Sequence, residues 1–240
     1  RNPVARALLM NLELSAVAPE VVPGIHLMPV VHERVDVAAL VRSVLEALQP
    51  AAVAVELPTT LAEATRTAVR RLPAMSVVVS EEEGEPALVW VVAPGDPAVE
   101  ALRWAEETGR QSFLVDPDVP YPHRHREALP DPWVMWSVGP GAWARAVREI
   151  AGEGAVTDAD RLREQGMAFH LREAAARCRG PLLALVGAAH AGRVATRLAG
   201  PTAPPLARVR RSQVLLRNLH PDSLTAVLPD APIAHAVHEL

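Results

Sequence analysis

Short apolar runs alternate along the chain with segments whose apolar residues recur every three or four positions. GIHLMPVV, at 24–31, is the first run, and the segment after it keeps helical spacing until Pro50. The helical positions are Val37, Leu40, Val41, Val44, Leu45 and Leu48. AAVAVEL then predicts a buried strand ending at Glu56, and TTLAEATRTAVRRL predicts a helix with Thr59 or Thr60 as its N-cap. This order predicts an α/β fold, with a mainly parallel central sheet flanked by helices on both faces.

The later pattern continues this rhythm. MSVVVS and ALVWVVA predict two strands around the acidic turn EEEGEP, as a hairpin or an excursion at the sheet edge. DPAVEALRWAEETG predicts a helix, QSFLVD a strand ending at Asp116, and 141–151 and 157–178 two further helices. PLLALVG and AGRVATRLAG predict a last strand and its helix. The tail, with ARVRRSQVLLRNL, SLTAVL and IAHAVHEL, predicts additional edge strands.

One stretch interrupts the pattern. PDVPYPHRHREALPDPWVMWSVGPG is rich in proline and aromatic residues, and predicts a long ordered loop or an insertion over a site. His123 and His125 within it stand two positions apart, and are expected to face solvent rather than to bind a metal. GPGAW, at 139–143, lacks the rest of a dinucleotide-binding motif and predicts a turn.

Length and composition narrow the class of protein. The 240 residues, half of them hydrophobic and with a formal net charge of −4, predict one α/β domain over 1–240, with its core at about 24–200 and edge strands over 201–240. The chain has no excess of basic residues, so we do not expect it to bind nucleic acid. All basic residues are arginine, which we interpret as a coding bias.

The single cysteine, Cys178, excludes an internal disulfide and a cysteine-based zinc site, which fits a reducing compartment. No run of 18 apolar residues and no signal-peptide pattern appears, so we expect no membrane span and a cytoplasmic protein.

Polar residues follow the predicted parallel strands at their carboxyl ends, where ligands bind in open α/β sheets. They are His32, Glu33, Glu56, Asp116 and His190. Glu56 ends an apolar run, so its carboxylate must be solvated or paired. Such a group is a candidate general base, general acid or metal ligand. The helix after GAAH begins close to His190, so its free N–H groups are expected at the same pocket, where they could receive an oxyanion.

Two long segments resemble a known group of proteins. PVVHERVDVAALVRSVLEALQPAAVAVELP, followed later by RLREQGMAFHLREAAARCRGPLLALVGAAHAGRV, is similar to the TraB/PrgY/GumN and TIKI group within the EreA/ChaN-like superfamily. EALRWAEETGRQSFLVD makes the chain most similar to uncharacterised bacterial members, over about residues 24–200. The resemblance implies an EreA/ChaN-like fold.

The group's motif residues have counterparts here. They are His32, Glu56, Arg163 before Met167-Ala168, and Gly187 with His190. Pro29 stands where the group has the glycine of its first motif, so the backbone beside His32 must differ from the family pattern.

The resemblance implies hydrolysis of a peptide, amide or ester bond in a small-molecule or peptide substrate. In one version His32, Glu56 and His190 hold a divalent metal (Zn, Mn or Co) that activates water. In the other, His32 or His190 is the general base, Glu56 or Glu164 assists it, and Arg163 stabilises negative charge. The residues expected to contact substrate are Glu33, Asp116, Gly187 and His170.

A non-catalytic ligand-binding or regulatory module that keeps the same pocket is the alternative. Haem binding is disfavoured because the chain has one tyrosine. The sequence leaves open whether the chain forms a homodimer.

Overall fold

The computed structural model describes residues 12–81, 88–119, 128–151, 154–205, 209, 211 and 213–239. Its strands are β1 Glu20–Val22, β2 Ile25–Val30, β3 Ala52–Pro58, β4 Ser76–Ser80, β5 Leu88–Val92, β6 Gln111–Asp116, β7 Leu182–Gly187 and β8 Val214–Asn218. The α-helices are α1 Leu14–Val17, α2 Val35–Leu48, α3 Ala62–Val69, α4 Pro97–Thr108, α5 Met135–Val138, α6 Pro140–Ile150, α7 Asp158–Ala176, α8 Ala188–Leu198, α9 Leu224–Val227 and α10 Pro232–Glu239. Short 3-10 turns cover Thr59–Leu61, Pro132–Val134 and Pro221–Ser223.

The central sheet has five strands in the order β1-β2-β7-β3-β6. The pairs β2–β7, β7–β3 and β3–β6 are parallel, and the short β1 runs antiparallel to β2. The predicted α/β fold with a mainly parallel sheet is therefore confirmed. The carboxyl ends of β2, β7, β3 and β6 lie side by side, so the side chains that follow these strands can meet.

Helices cover both faces of this sheet, as predicted. Successive side chains of a strand point to opposite faces, and in β7 Leu183 and Leu185 join one apolar core while Leu182, Ala184 and Val186 join another. Residues of α2 and α4 complete the first core, and residues of α7 and α8 complete the second. Burial on both faces explains why β3 and β7 read as continuous apolar runs.

The prediction for the strands MSVVVS and ALVWVVA is correct in part. β4 and β5 pair antiparallel, as a hairpin would, but they form a separate three-stranded sheet with β8, in the order β5-β4-β8, and do not extend the central sheet. EEEGEP lies almost wholly outside the described residues. Val78 and Val92 of this second sheet belong to the same apolar core as α2 and α4.

The tail supplies one strand, β8, and two helices where we expected further strands. SLTAVL contains α9, and residues 233–239 lie in α10, which begins with a proline at its first position. Proline suits the first helical turn, and the alanines of this segment favour helix. The alternation of apolar and polar residues was misleading because it also fits a short helix with one buried face.

Two smaller predictions are also corrected. Neither Thr59 nor Thr60 caps a helix: both lie inside a 3-10 turn, and the Thr60 hydroxyl donates to Asp118. GPGAW is the start of α6, with Gly139 at the N-cap and a positive φ of 85°, not an isolated turn. The long loop is described only in part, and its described end forms a 3-10 turn and α5.

Two helices have residues typical of helix ends at their termini. Asp96 caps α4 by accepting from Ala98 N and Val99 N, and Gly109 ends that helix with a φ of 65°. Thr157 and Asp160 form a capping box at the start of α7. None of the described helices is both long and apolar enough to cross a membrane.

Candidate functional site

Glu56 lies at the end of β3, where its carboxylate is buried. Its Oε1 accepts from Arg163 Nη2 at 2.6 Å, and its Oε2 accepts from the backbone N of Gly187 at 2.6 Å. Burial alone would raise the pKa of Glu56, but the positive charge of Arg163 beside it holds that pKa below its usual value. Glu56 is therefore an ionised carboxylate that ties β3 to β7 and to α7.

Arg163 also binds the carboxylate at the end of β6. Its Nε lies 3.0 and 3.1 Å from the two oxygens of Asp116, and its Nη2 lies 2.8 Å from Asp116 Oδ2. Burial raises the pKa of Asp116 to about 6, and the negative charge of Glu56 adds to this rise, although Arg163 acts to lower that pKa. One guanidinium thus serves two buried carboxylates.

His190 is the third residue of α8 and is 4% exposed. Its Nε2 lies 3.2 Å from Arg163 Nη1, and its Nδ1 lies 3.0 Å from Glu164 Oε1. A guanidinium can only donate, so Nε2 must accept and the ring proton must lie on Nδ1, where it is donated to Glu164. Both ring nitrogens of His190 are therefore engaged inside the protein.

Glu164 stands behind His190 and is fully buried. Burial would raise the pKa of its carboxyl, but the hydrogen bonds from His190 and Arg193 hold that pKa below its usual range. Arg193 Nε donates to Glu164 Oε1 at 2.6 Å. Glu164 is thus an ionised support that fixes the tautomer and orientation of His190.

His32 follows β2 and is the exposed member of the cluster. A β-carbon added to Gly187 would lie 2.9 Å from His32 Nε2 and 3.1 Å from Glu56 Oε2. The imidazole and the carboxylate therefore converge on a methyl-sized space above Gly187. A side chain at position 187 would fill it, which gives the glycine of GAAH a physical role.

Pro29 does not disturb this arrangement. β2 pairs with β7 along its whole length, but β1 pairs with β2 only at Ile25 and His26. In the described structure Pro29 therefore has a neighbouring strand, β7, on one side only. Proline has no backbone N–H, but no second neighbouring strand requires a hydrogen bond from it at this position.

Most of these residues border one pocket of about 530 Å³, but Glu164, which supports His190 from behind, does not line it. The predicted site residues that line it are His32, Glu33, Glu56, Asp116, Arg163, Gly187 and His190. Ala188 and Ala189 also line it, and as the first two residues of α8 they have N–H groups without an acceptor inside the helix.

His170 is not brought to this pocket. Its Nδ1 lies 2.9 Å from the carbonyl oxygen of Val115, and its side chain lines a different groove along β6. His123 and His125 lie outside the described residues. Cys178 is part-buried, and burial raises the pKa of its thiol, which disfavours a nucleophilic role.

Several residues that line the pocket were not among those predicted from the sequence. Arg211, from the tail, binds Asp118 through Nε–Oδ2 and Nη2–Oδ1 contacts of 2.5 Å each. Trp90 and Leu88 come from β5 of the second sheet. Asp118 stands two residues after Asp116 and could have been suspected, whereas Arg211 and Trp90 reach the pocket only through tertiary packing.

The donor set does not fit a metal at His32, Glu56 and His190. His190 Nε2 and Glu56 Oε1 lie 3.8 Å apart, but both face the guanidinium of Arg163. A cation bound there would displace those hydrogen bonds and lie beside a permanent positive charge. Among the described residues, no group of three or more His, Cys, Asp or Glu side chains is arranged to hold a metal ion.

Comparison with known proteins adds no identification: no family model, no curated protein and no solved structure matches this chain. Fold and site together define an α/β protein whose central, mostly parallel sheet carries a cluster of buried charges at its carboxyl edge.

The raised pKa of Asp116 predicts a specific pH dependence of stability. Between the usual value of 3.8 and about 6, the folded state holds a proton that the unfolded state has released. The stabilising contribution of Asp116 is thus largest in acid and is lost as pH rises through this window. Relative to Asp116→Asn, the wild type should lose on the order of 2–3 kcal/mol of unfolding free energy between pH 4 and pH 7.

Urea unfolding of both proteins across this pH range measures the difference. Asp222→Asn, which removes a carboxyl that is 91% exposed, is the matched control. A wild-type curve parallel to that of Asp116→Asn would show that Asp116 does not take up a proton in this window.

Proposed function

We propose that the chain is a hydrolase of carboxylic ester or amide bonds, peptide bonds included, and that it works without a bound metal. The observation that carries the proposal is the convergence of His32 Nε2 and Glu56 Oε2 above Gly187, beside the first N–H groups of α8. An exposed imidazole next to an ionised carboxylate is suited to accept a proton, and free N–H groups are suited to receive an oxyanion.

In the proposed reaction His32 Nε2 takes a proton from a water molecule as the water oxygen attacks the substrate carbonyl carbon. The carbonyl oxygen becomes an oxyanion, which the N–H groups of Ala188 and Ala189 stabilise. When the carbonyl re-forms, the C–O or C–N bond breaks and His32 returns the proton to the leaving alcohol or amine. Glu56 stabilises the imidazolium that exists between the two steps.

The other charged residues act as positioning residues in this scheme. Arg163 holds Glu56 through a 2.6 Å contact, and Asp116 and His190 hold Arg163. Glu164 fixes His190 in turn. We assign His190, Arg163 and Glu164 to the support of the reacting groups, since Arg163 contacts Glu56, His190 contacts Arg163, and Glu164 contacts His190.

The resemblance to the TraB/PrgY/GumN and TIKI group supports the same reaction class, and membership of that group, with an EreA/ChaN-like fold, is part of the proposal. A cytoplasmic location is also part of it, on the ground of the single cysteine.

Gly187→Ala tests the proposal. The added methyl would lie 2.9 Å from His32 Nε2, so we expect hydrolysis of p-nitrophenyl esters to fall about 100-fold, with little change in melting temperature. Gly192→Ala, in α8 and with no atom within 4 Å of the added carbon, is the matched control and should keep full activity. Dialysis against EDTA should leave the rate unchanged.

Two results would count against this scheme. Loss of activity on EDTA treatment, restored by one divalent metal, would favour metal-dependent hydrolysis. A purified chain that binds ligands in this pocket but hydrolyses no ester or amide would favour the non-catalytic binding module, which the pocket volume of about 530 Å³ also suits.

A further inference from the structure

One side of the pocket is apolar, in contrast to its charged floor. Leu88 and Trp90 of β5 face it from the second sheet, and Leu61, Val119 and Leu129 face it from the turn and loops around β3, β6 and the start of α5. A volume of about 530 Å³ is far more than a water molecule and a carbonyl group occupy, and lies in the range of small-molecule sites. A substrate that fills the pocket must place apolar atoms against this wall.

The charges of the described lining residues disfavour an anionic substrate. Glu33, Glu56, Asp96, Asp116 and Asp118 supply five carboxylates, against the guanidinium groups of two arginines. The excess of carboxylates over guanidinium groups disfavours a further negative charge here.

Both arginines are already ion-paired. Arg163 binds Glu56 and Asp116, and Arg211 binds Asp118. The backbone N of Gly187, at the N-cap of α8, already donates to Glu56. Among the described lining residues, every guanidinium is thus committed to a carboxylate of the protein itself.

We propose that the site accepts substrates with an uncharged apolar acyl group, which packs against Trp90 and Leu88, and that it rejects acyl groups carrying a carboxylate. The part of this inference that concerns which esters are hydrolysed rests on the proposed function. The part that concerns which acyl groups bind in the pocket does not.

Three p-nitrophenyl esters test the selectivity of hydrolysis: the acetate, the hexanoate and the mono-ester of adipic acid, which has the six-carbon chain of the hexanoate with a carboxylate in place of the terminal methyl. We expect kcat/KM for the hexanoate to exceed that for the acetate by about tenfold. We expect it to exceed that for the adipate mono-ester by about 100-fold.

Trp90→Ala should abolish the preference for hexanoate over acetate, because it removes the wall that the longer chain contacts. Trp133→Ala removes a tryptophan that is 69% exposed and outside the pocket, and should keep the preference. Trp90 also packs on the apolar core, so its removal could affect folding as well as the pocket wall. Trp90→Phe, which retains an aromatic ring at this position, is therefore the second variant and should keep most of the preference. A preference that survives in Trp90→Ala would overturn the role of this wall.

Binding of hexanamide and of the mono-amide of adipic acid, measured by calorimetry on the wild type, separates the two proposals. Tighter binding of hexanamide with no hydrolysis of any ester would support this inference and overturn the hydrolase. Hydrolysis without preference for chain length or charge would support the hydrolase and overturn this inference. Equal binding of hexanamide and of the mono-amide of adipic acid would overturn the charge selectivity.

Discussion

Arg163→Met is expected to lower the free energy of unfolding by about 3–5 kcal/mol near pH 8. Arg163 is 7% exposed and supplies every guanidinium contact of Glu56 and Asp116 described above. Methionine fills a similar volume but donates no hydrogen bond, so two ionised carboxylates would remain buried without their counter-charge. Urea unfolding measures the loss, which should be smaller near pH 5 because protonation of Asp116 removes one of the charges.

Two companion variants make this test specific. Arg161→Met, two residues earlier in α7, removes an arginine that is 57% exposed and paired with Asp158, and should cost less than about 1 kcal/mol. Adding Glu56→Gln and Asp116→Asn to Arg163→Met should recover most of the lost stability, because the neutral set no longer needs a cation. If Arg163→Met is as stable as Arg161→Met, the buried carboxylates do not depend on this guanidinium.

His32→Asn is expected to lower kcat for ester hydrolysis by about 100- to 10,000-fold, the usual contribution of a general base. KM and the melting temperature should change little, because His32 is exposed and asparagine keeps a polar side chain there. Steady-state kinetics and thermal unfolding of the same preparation give both results.

His220→Asn is the matched control, since the His220 side chain is 73% exposed and lies outside the pocket. His190→Asn gives a different signature: it removes contacts with Arg163 and Glu164, so it should lower stability as well as activity. Full activity in His32→Asn would exclude His32 as the proton acceptor and would redirect the search to His190.

Much of this cluster was visible as polar residues at the ends of apolar runs. Glu56 and Asp116 each end a strand with a buried carboxylate, and such groups must find partners. Parallel strands place their carboxyl ends along one edge, so convergence of the residues after β2, β3, β6 and β7 follows from strand order alone.

The sequence predicts that these polar residues lie close together, but it does not predict which of them is exposed to the pocket and which is buried behind it. His32 and His190 look equivalent in the sequence, each after an apolar run, yet one is exposed and the other is buried. The difference arises because His190 lies in the first turn of α8, under Arg163 and Glu164 of α7. His170 shares α7 with Arg163, but it contacts Val115 and lines another groove.

The second sheet shows the limit of pattern reading most clearly. The β4–β5 hairpin was predictable, but its third strand, β8, starts 122 positions after β5 ends, and no local pattern encodes that pairing. The tail was misassigned for a related reason: in segments as short as α9 and α10, apolar alternation and helical spacing select nearly the same positions.

The sequence by itself therefore determined the α/β class, most of the parallel strands and helices of the central layer, and the polar residues at its carboxyl edge. These depend on hydrophobic periodicity and on short-range rules for caps, turns and strand ends. Only the tertiary structure decided that one guanidinium serves two carboxylates, that His32 rather than His190 faces the open space above Gly187, and that Trp90 borders the site. Those facts depend on distances between elements far apart in the chain, which packing sets and local sequence does not.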